Sequence, residues 1–171
     1  MSQPRSQSSS AITSLARRLG ARRWFARVGR ALVPVDRLVG RVTRGRVVAL
    51  GLRELHCLML TTTGRRSGRP RANPLLYAVE GDAFVVVGSN WGQAHHPAWS
   101  GNLLADPDAV VTLAGRDIPV RAVLTEGAER DRLWGLMRDL WPAYSAYAQR
   151  AGRDIRVFRL ERRDGGRPAP D

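Results

Sequence analysis

Thr61-Thr62-Thr63-Gly64-Arg65-Arg66-Ser67-Gly68-Arg69-Pro70-Arg71-Ala72-Asn73-Pro74-Leu75 is the stretch that decides the fold. Before it, Leu55–Thr63 is a dense apolar and β-branched run, the composition of a strand. After it, Arg71–Val79 reads as the return strand. Between the two, Gly64-Arg65-Arg66-Ser67-Gly68 is turn chemistry, so a hairpin is expected. Glycines bracketing arginines also place backbone N–H groups beside guanidinium forks, which suits phosphate or carboxylate groups. An ordinary arginine-rich turn is the competing reading, because all 28 basic residues of the chain are arginine.

Downstream the hairpin logic repeats. Glu80-Gly81-Asp82 is a tight turn leading into Ala83–Gly88, a buried strand. Ser89 to Pro97 is a loop with two histidines, and Pro97 to Ala105 a short helix stopped by Asp106-Pro107. Ala109–Leu113 and Ile118–Leu124 flank a second hairpin turn, Ala114-Gly115-Arg116-Asp117. Thr125 is placed to cap a helix from Gly127 to Leu140. Pro142 interrupts that helix, and a second piece carries Tyr144 and Tyr147; Asp154–Leu160 reads as the last strand. Six strands in consecutive hairpins, with flanking helices, predict an α+β to mainly β antiparallel barrel rather than a doubly wound sheet. No Gly-x-Gly-x-x-Gly fingerprint occurs.

Charge divides the chain. Residues 1–53 hold twelve arginines and one acid (12 − 1 = +11), whereas residues 54–171 hold sixteen and fourteen (16 − 14 = +2). A nearly neutral domain over 54–162 is therefore expected to carry a basic arm over 1–53 and a polar tail over 163–171. Within the arm, Trp24, Phe25, Val28 and Leu32 share one helical face while Arg22, Arg23, Arg27 and Arg30 share the other. Such a helix can lie on an anionic membrane through residues 11–33, dock on protein, or hold nucleic acid without sequence preference; the aromatic face favours an apolar partner. No apolar run reaches the roughly 18 residues that span a bilayer, and the start lacks a signal peptide's apolar stretch. Cys57 alone forms no internal disulfide. A cytoplasmic location follows as the expectation, with peripheral attachment to the inner membrane face.

The absence of lysine removes Schiff-base chemistry. His95-His96 are sequence neighbours with no ligand cluster at metal spacing, so no metal site is predicted. His56-Cys57 sits in a strand, where neighbours face opposite sides, and Cys57 reads as core. Trp134, Leu136, Met137, Leu140 and Trp141 at helical spacing also read as core.

The quoted stretch, followed by Gly88-Ser89-Asn90, His96-Pro97-Ala98-Trp99, Asn102-Leu103 and Asp106-Pro107, resembles the deazaflavin-dependent nitroreductase family over about Leu55 to Leu160. The resemblance implies a split β-barrel of the FMN-binding type and the coenzyme F-420, an 8-hydroxy-5-deazaflavin with a phosphate and polyglutamate tail. FMN is the rival cofactor. It implies that Thr63, Gly64, Arg65, Arg66, Ser67, Gly68, Arg69 and Arg71 form the turn holding the anionic tail, with Asn73 and Pro74 following. Ser89, Asn90, Pro97, Ala98 and Trp99 match the loop and helix start beside the rings, although some members carry lysine where this chain has Asn90. Leu76, Trp141, Tyr144 and Tyr147 match the acceptor pocket, with Leu76 replacing an aromatic residue. Hydride transfer needs no protein nucleophile, since the coenzyme carries the reaction. Ser89 and Tyr144 are the candidate proton donors. The implied function is hydride transfer to a quinone, nitroaromatic or similar electron-poor acceptor, by a monomer or homodimer. A non-catalytic barrel holding FMN, haem or fatty acid is the alternative from a different class, and a nucleic-acid-associated protein rests on the arm alone.

Overall fold

The computed structural model describes residues 56–163 and the single position 31. The arm expected over 1–53, Ala31 apart, and the tail from 164 onward lie outside the described residues.

Seven strands form one curled antiparallel sheet, ordered β2-β1-β5-β6-β7-β4-β3. They are β1 (Cys57–Thr63), β2 (Pro70–Leu76), β3 (Ala78–Glu80), β4 (Ala83–Val87), β5 (Asp108–Leu113), β6 (Arg116–Leu124) and β7 (Val157–Arg162). Three helices complete the described unit: α1 (Ala98–Ala105), α2 (Gly127–Leu140) and α3 (Ala143–Ala151). The turns take the residues their geometry needs. β5 and β6 are joined by Ala114 and Gly115, both at positive φ (49° and 83°), the left-handed pair that matches strand twist.

One strand more is present than the sequence predicts, because Arg71–Val79 is two strands. β2 pairs with β1 from Leu76 to Pro70, whereas β3 pairs with β4 from Ala78 to Glu80. Only Tyr77 lies between them; it is 7% exposed and its N–H donates to the His56 carbonyl at 3.0 Å. β2 and β3 stand at opposite ends of the strand order, yet Leu76 and Ala78 are at most ~7 Å apart along the chain. The sheet must therefore curl until its two ends meet at Tyr77. A continuous apolar pattern conceals this, since side-chain alternation carries straight through the corner.

Curling gives the sheet two buried faces. Leu58, Leu60, Phe84, Val86, Val111, Val120, Phe158 and Leu160 fill one core with Tyr77, Trp99 and Leu103. Val85, Val87 and Val157 face the other way, against Leu133, Met137, Trp141, Tyr144, Tyr147 and Ile155. All five β4 residues are consequently buried, which is why Ala83–Val87 reads as an unbroken apolar run.

Two expectations are corrected. Thr125 does not cap α2: its hydroxyl donates to the Val157 carbonyl at 3.0 Å, and Glu126 stands at the helix start. The last strand begins at Val157 rather than Asp154. Residues just before it are taken up elsewhere, with the Arg156 carbonyl accepting from the Gly88 N–H at 2.8 Å.

Candidate functional site

The β1–β2 turn closes tightly. The Gly64 N–H donates to Arg69 O at 2.9 Å, and the Ser67 and Gly68 N–H groups donate to Gly64 O at 3.0 and 2.7 Å. A Cβ at Gly64 would lie 2.8 Å from Ser67 Oγ and 3.0 Å from the Arg69 carbonyl, so only glycine fits without shifting backbone. Gly68 sits at φ 63°. The turn is pinned to α1 by one buried amide: Asn102 Nδ2 donates to Thr62 Oγ1 at 3.0 Å, and its Oδ1 accepts from the Arg65 backbone N–H at 3.2 Å.

Between turn and helix lies a groove of about 410 Å³ lined by Gly64, Arg65, Arg66, Ser67, Arg71, Ala72, Asn73, Ala98, Trp99 and Asn102. That volume lies within the roughly 300–1,000 Å³ usual for small-molecule sites. Its arginines are not equivalent. The Arg65 guanidinium lies on α1, donating to the Ala98 carbonyl at 3.2 Å and Asn102 Oδ1 at 3.4 Å, with Gly101 leaving room for it. Arg66 and Arg71 present exposed side chains to the groove, Arg71 sharing a 3.4 Å contact with Ser67 Oγ. Trp99, 5% exposed, adds an aromatic edge to the lining, anchored 5.8 Å from the Phe158 ring. A lining that combines exposed cationic forks with the edge of a tryptophan suits a ligand that is part polyanion and part ring.

Of the remaining residues matched to coenzyme contacts, Thr63, Gly68 and Arg69 are exposed on the same turn but outside the groove lining. Pro74 is half-buried in β2 opposite Met59. Asn73 is buried, its Nδ2 donating to Arg71 O at 3.4 Å. Pro97 precedes α1 with its ring 3.6 Å from where a Gly88 Cβ would stand. Ser89 is buried at the end of β4. Asn90 is spent locally, donating to Gln93 Oε1 at 3.3 Å and His95 O at 3.1 Å.

The residues matched to an acceptor pocket gather elsewhere. Trp141, Tyr144 and Tyr147 lie in the core beneath α2 and α3, with Leu76 packed against them. The Tyr144 ring stands 6.0 Å from both Trp134 and Tyr147, and Tyr147 meets Trp91 at 6.1 Å. Burial, then the neighbouring Tyr147, pushes the Tyr144 phenol far above its ordinary value, so it stays protonated. None of the four lines the groove.

Sequence reasoning missed three participants. Asn102 shows only as part of an Asn-Leu pair, without a hint that its amide ties strand to helix. Ala72 is a silent residue between signals. Arg153 is one arginine of many, yet its guanidinium reaches the carbonyls of Gly88, Ser89, Gln93 and His95. Among the described residues no group of three or more His, Cys, Asp or Glu is placed to hold a metal ion.

Comparison with known proteins gives a consistent result. Residues 35–162 match the family described as F420H(2)-dependent quinone reductase. An F420H(2)-dependent quinone reductase of Mycobacterium tuberculosis is 33% identical over 145 residues, covering 82% of this chain and 97% of that protein. The solved structure of an F420-H2 dependent reductase (FDR-A) superposes with a TM-score of 0.58 at 34% identity, covering 62% of this chain and 94% of that one. A second structure, a domain-swapped dimer, matches with a TM-score of 0.60 at 31% identity over 74% of this chain and 96% of that one.

Proposed function

This chain belongs to the F420H(2)-dependent quinone reductase family, and from that premise we propose how its own residues serve hydride transfer from coenzyme F-420 to a quinone. When bound, the reduced deazaflavin supplies a hydride, and with one proton from the protein side a quinone becomes a quinol. The observation that carries the reading is the groove itself, lined by exposed guanidiniums on a glycine turn together with the Trp99 edge. Arg66 and Arg71 hold the phosphate and carboxylates of the coenzyme tail, and Arg69 adds a third cation at the rim. Arg65 serves differently, keeping the turn against α1 through Ala98 and Asn102. Trp99, Ala98 and Pro97 give the ring an apolar edge, and Asn73 and Ser89 supply polar groups near it.

In this reading Ser89 and Tyr144 hydrogen-bond the acceptor oxygen and relay one proton to it, which solvent replaces. Ser89 is buried at the start of the loop that leads into α1, and Tyr144, whose phenol burial keeps protonated, serves as a hydrogen-bond donor to the acceptor oxygen rather than as a strong acid. Leu76, Trp141 and Tyr147 form the apolar surroundings that keep water from a quinone. The basic segment 11–33 brings the protein to an anionic membrane, where lipid-soluble quinones reside.

The deciding experiment is a fluorescence titration with the deazaflavin. Arg66→Gln and Arg71→Gln are each expected to weaken binding roughly tenfold, less at high salt, since an exposed charge-assisted contact is worth about 1–1.5 kcal/mol. Unchanged affinity in the double variant refutes the groove assignment. Pelleting with anionic vesicles tests the segment 11–33: a chain beginning near Arg53 should stay in the supernatant.

A further inference from the structure

The loop from Ser89 to His96 is held in an expensive shape. Asn90, Trp91 and Gly92 take successive left-handed conformations, at φ 47°, 57° and 77°. Such backbone costs about 1 kcal/mol or more for a bulky residue like Trp91 and persists only where its surroundings impose it. Packing supplies part of the constraint: a Cβ on Gly92 would lie 3.1 Å from the Tyr147 backbone, so the turn rests directly on α3. Within the loop, Asn90 Nδ2 donates to Gln93 Oε1 and His95 O, and from outside it one side chain ties both ends together.

α3 ends at Ala151, and the left-handed φ of 59° at Gly152 turns the chain back so that Arg153 enters the loop. Nε of Arg153 donates to Gln93 O at 3.2 Å. NH2 donates to Gly88 O at 3.2 Å, Ser89 O at 3.4 Å and His95 O at 3.1 Å. NH1 donates to Asp154 O at 3.2 Å and faces His96 Nδ1 at 3.0 Å. One planar fork thus spans both ends of the loop, a geometry that five fixed N–H donors permit and a lysine's single ammonium does not. The loop ends in Pro97, and the first turn of α1, Ala98 and Trp99, is the groove wall. From the other side Arg65 grips the Ala98 carbonyl.

We propose that Arg153 is a positioning residue for the coenzyme groove: by bracing the 88–96 loop it fixes where α1 begins and hence where Ser89 and Trp99 stand. This rests on reading the groove as the coenzyme site. It also joins the two halves of the site, since Arg153 follows directly from the helix that carries Tyr144 and Tyr147.

Arg153→Lys and Arg153→Ala are examined by amide hydrogen exchange without coenzyme, thermal unfolding, and deazaflavin fluorescence titration. In Arg153→Lys the amides of 89–96 are expected to exchange about tenfold faster while those of β5, β6 and α2 keep their rates. Coenzyme binding should weaken about tenfold, less than the roughly hundredfold that a ~1 Å misplacement can cost a reaction rate. Arg153→Ala should show both effects more strongly; if it does not fold, the lysine variant decides alone. Loop exchange as slow as in the unmodified chain, affinity within twofold of it, or exchange rising equally throughout the molecule would each overturn the proposal. If the unmodified chain does not bind the deazaflavin, the coenzyme reading fails, and the exchange of 89–96 still decides whether Arg153 holds the loop.

Discussion

The arginine turn and the aromatic cluster are built by opposite means. The turn is exposed, charged and closed locally: Gly64 to Arg71 lies within one hairpin, and the backbone hydrogen bonds inside it join residues at most five apart, with Asn102 and Ala98 tying it to α1 from outside. The cluster is buried, apolar and assembled from distant segments, with Trp91, Trp134, Trp141, Tyr144 and Tyr147 meeting across a loop and two helices. Substitution in the turn should therefore change binding while leaving folding alone. In the cluster it should change folding first.

The largest expected effect tests the second half of that contrast. Tyr147 is 2% exposed and its ring meets those of Tyr144 and Trp91, so Tyr147→Ala should destabilise the fold by about 3–5 kcal/mol. Thermal unfolding measures it. A loss below about 1 kcal/mol, with coenzyme affinity sharply reduced, would mean that Tyr147 belongs to the binding surface and not to the core.

The next effect should fall on both properties, because Asn102 bridges the two kinds of structure. It is 4% exposed and linked to Thr62 and Arg65. Asn102→Leu leaves the Thr62 hydroxyl and the Arg65 N–H short of a partner, at a cost of about 1–3 kcal/mol. It also frees the turn from α1. Reduced stability together with weaker deazaflavin binding is expected. A stability loss with unchanged affinity would show that the turn keeps its place without the amide.

How much of this was legible follows from the same contrast. The turn announces itself because glycine spacing, arginine and flanking β-branched residues all lie within fifteen consecutive letters. The hairpins at Gly81 and Gly115 were readable for that reason too. The corner at Tyr77 was not, because alternation of apolar residues continues through it, and only the change of pairing partner from β1 to β4 reveals two strands. Thr125 had the right chemistry for a cap, yet a β7 carbonyl competed for its hydroxyl. Arg153 could not be singled out, since a brace across more than fifty residues leaves no spacing signal. The aromatic residues were expected partly as core and partly as pocket, and the structure places them in the core and outside the groove lining.

The smallest effect probes the seam between the two regions. His96 is half-buried, and its Nδ1 stands 3.0 Å from Arg153 NH1, a geometry in which the guanidinium donates and the imidazole accepts. Burial, then the charges of Arg153 and Arg156, holds the His96 pKa below its ordinary value. The sign follows from linkage. Above the unfolded value, about 6.5, both states are neutral and the contact contributes in full. As pH falls from there through the lowered folded value, the unfolded chain takes up a proton that the folded chain resists, and stability declines. Thermal midpoints should therefore drop modestly between pH 7.5 and 5.5, with the 89–96 amides loosening first. His96→Gln keeps an acceptor for Arg153 without a titrating proton, so it should flatten that part of the curve. An equal pH dependence in the variant would place the titrating group elsewhere, and the seam would then be held by the carbonyls of the loop alone.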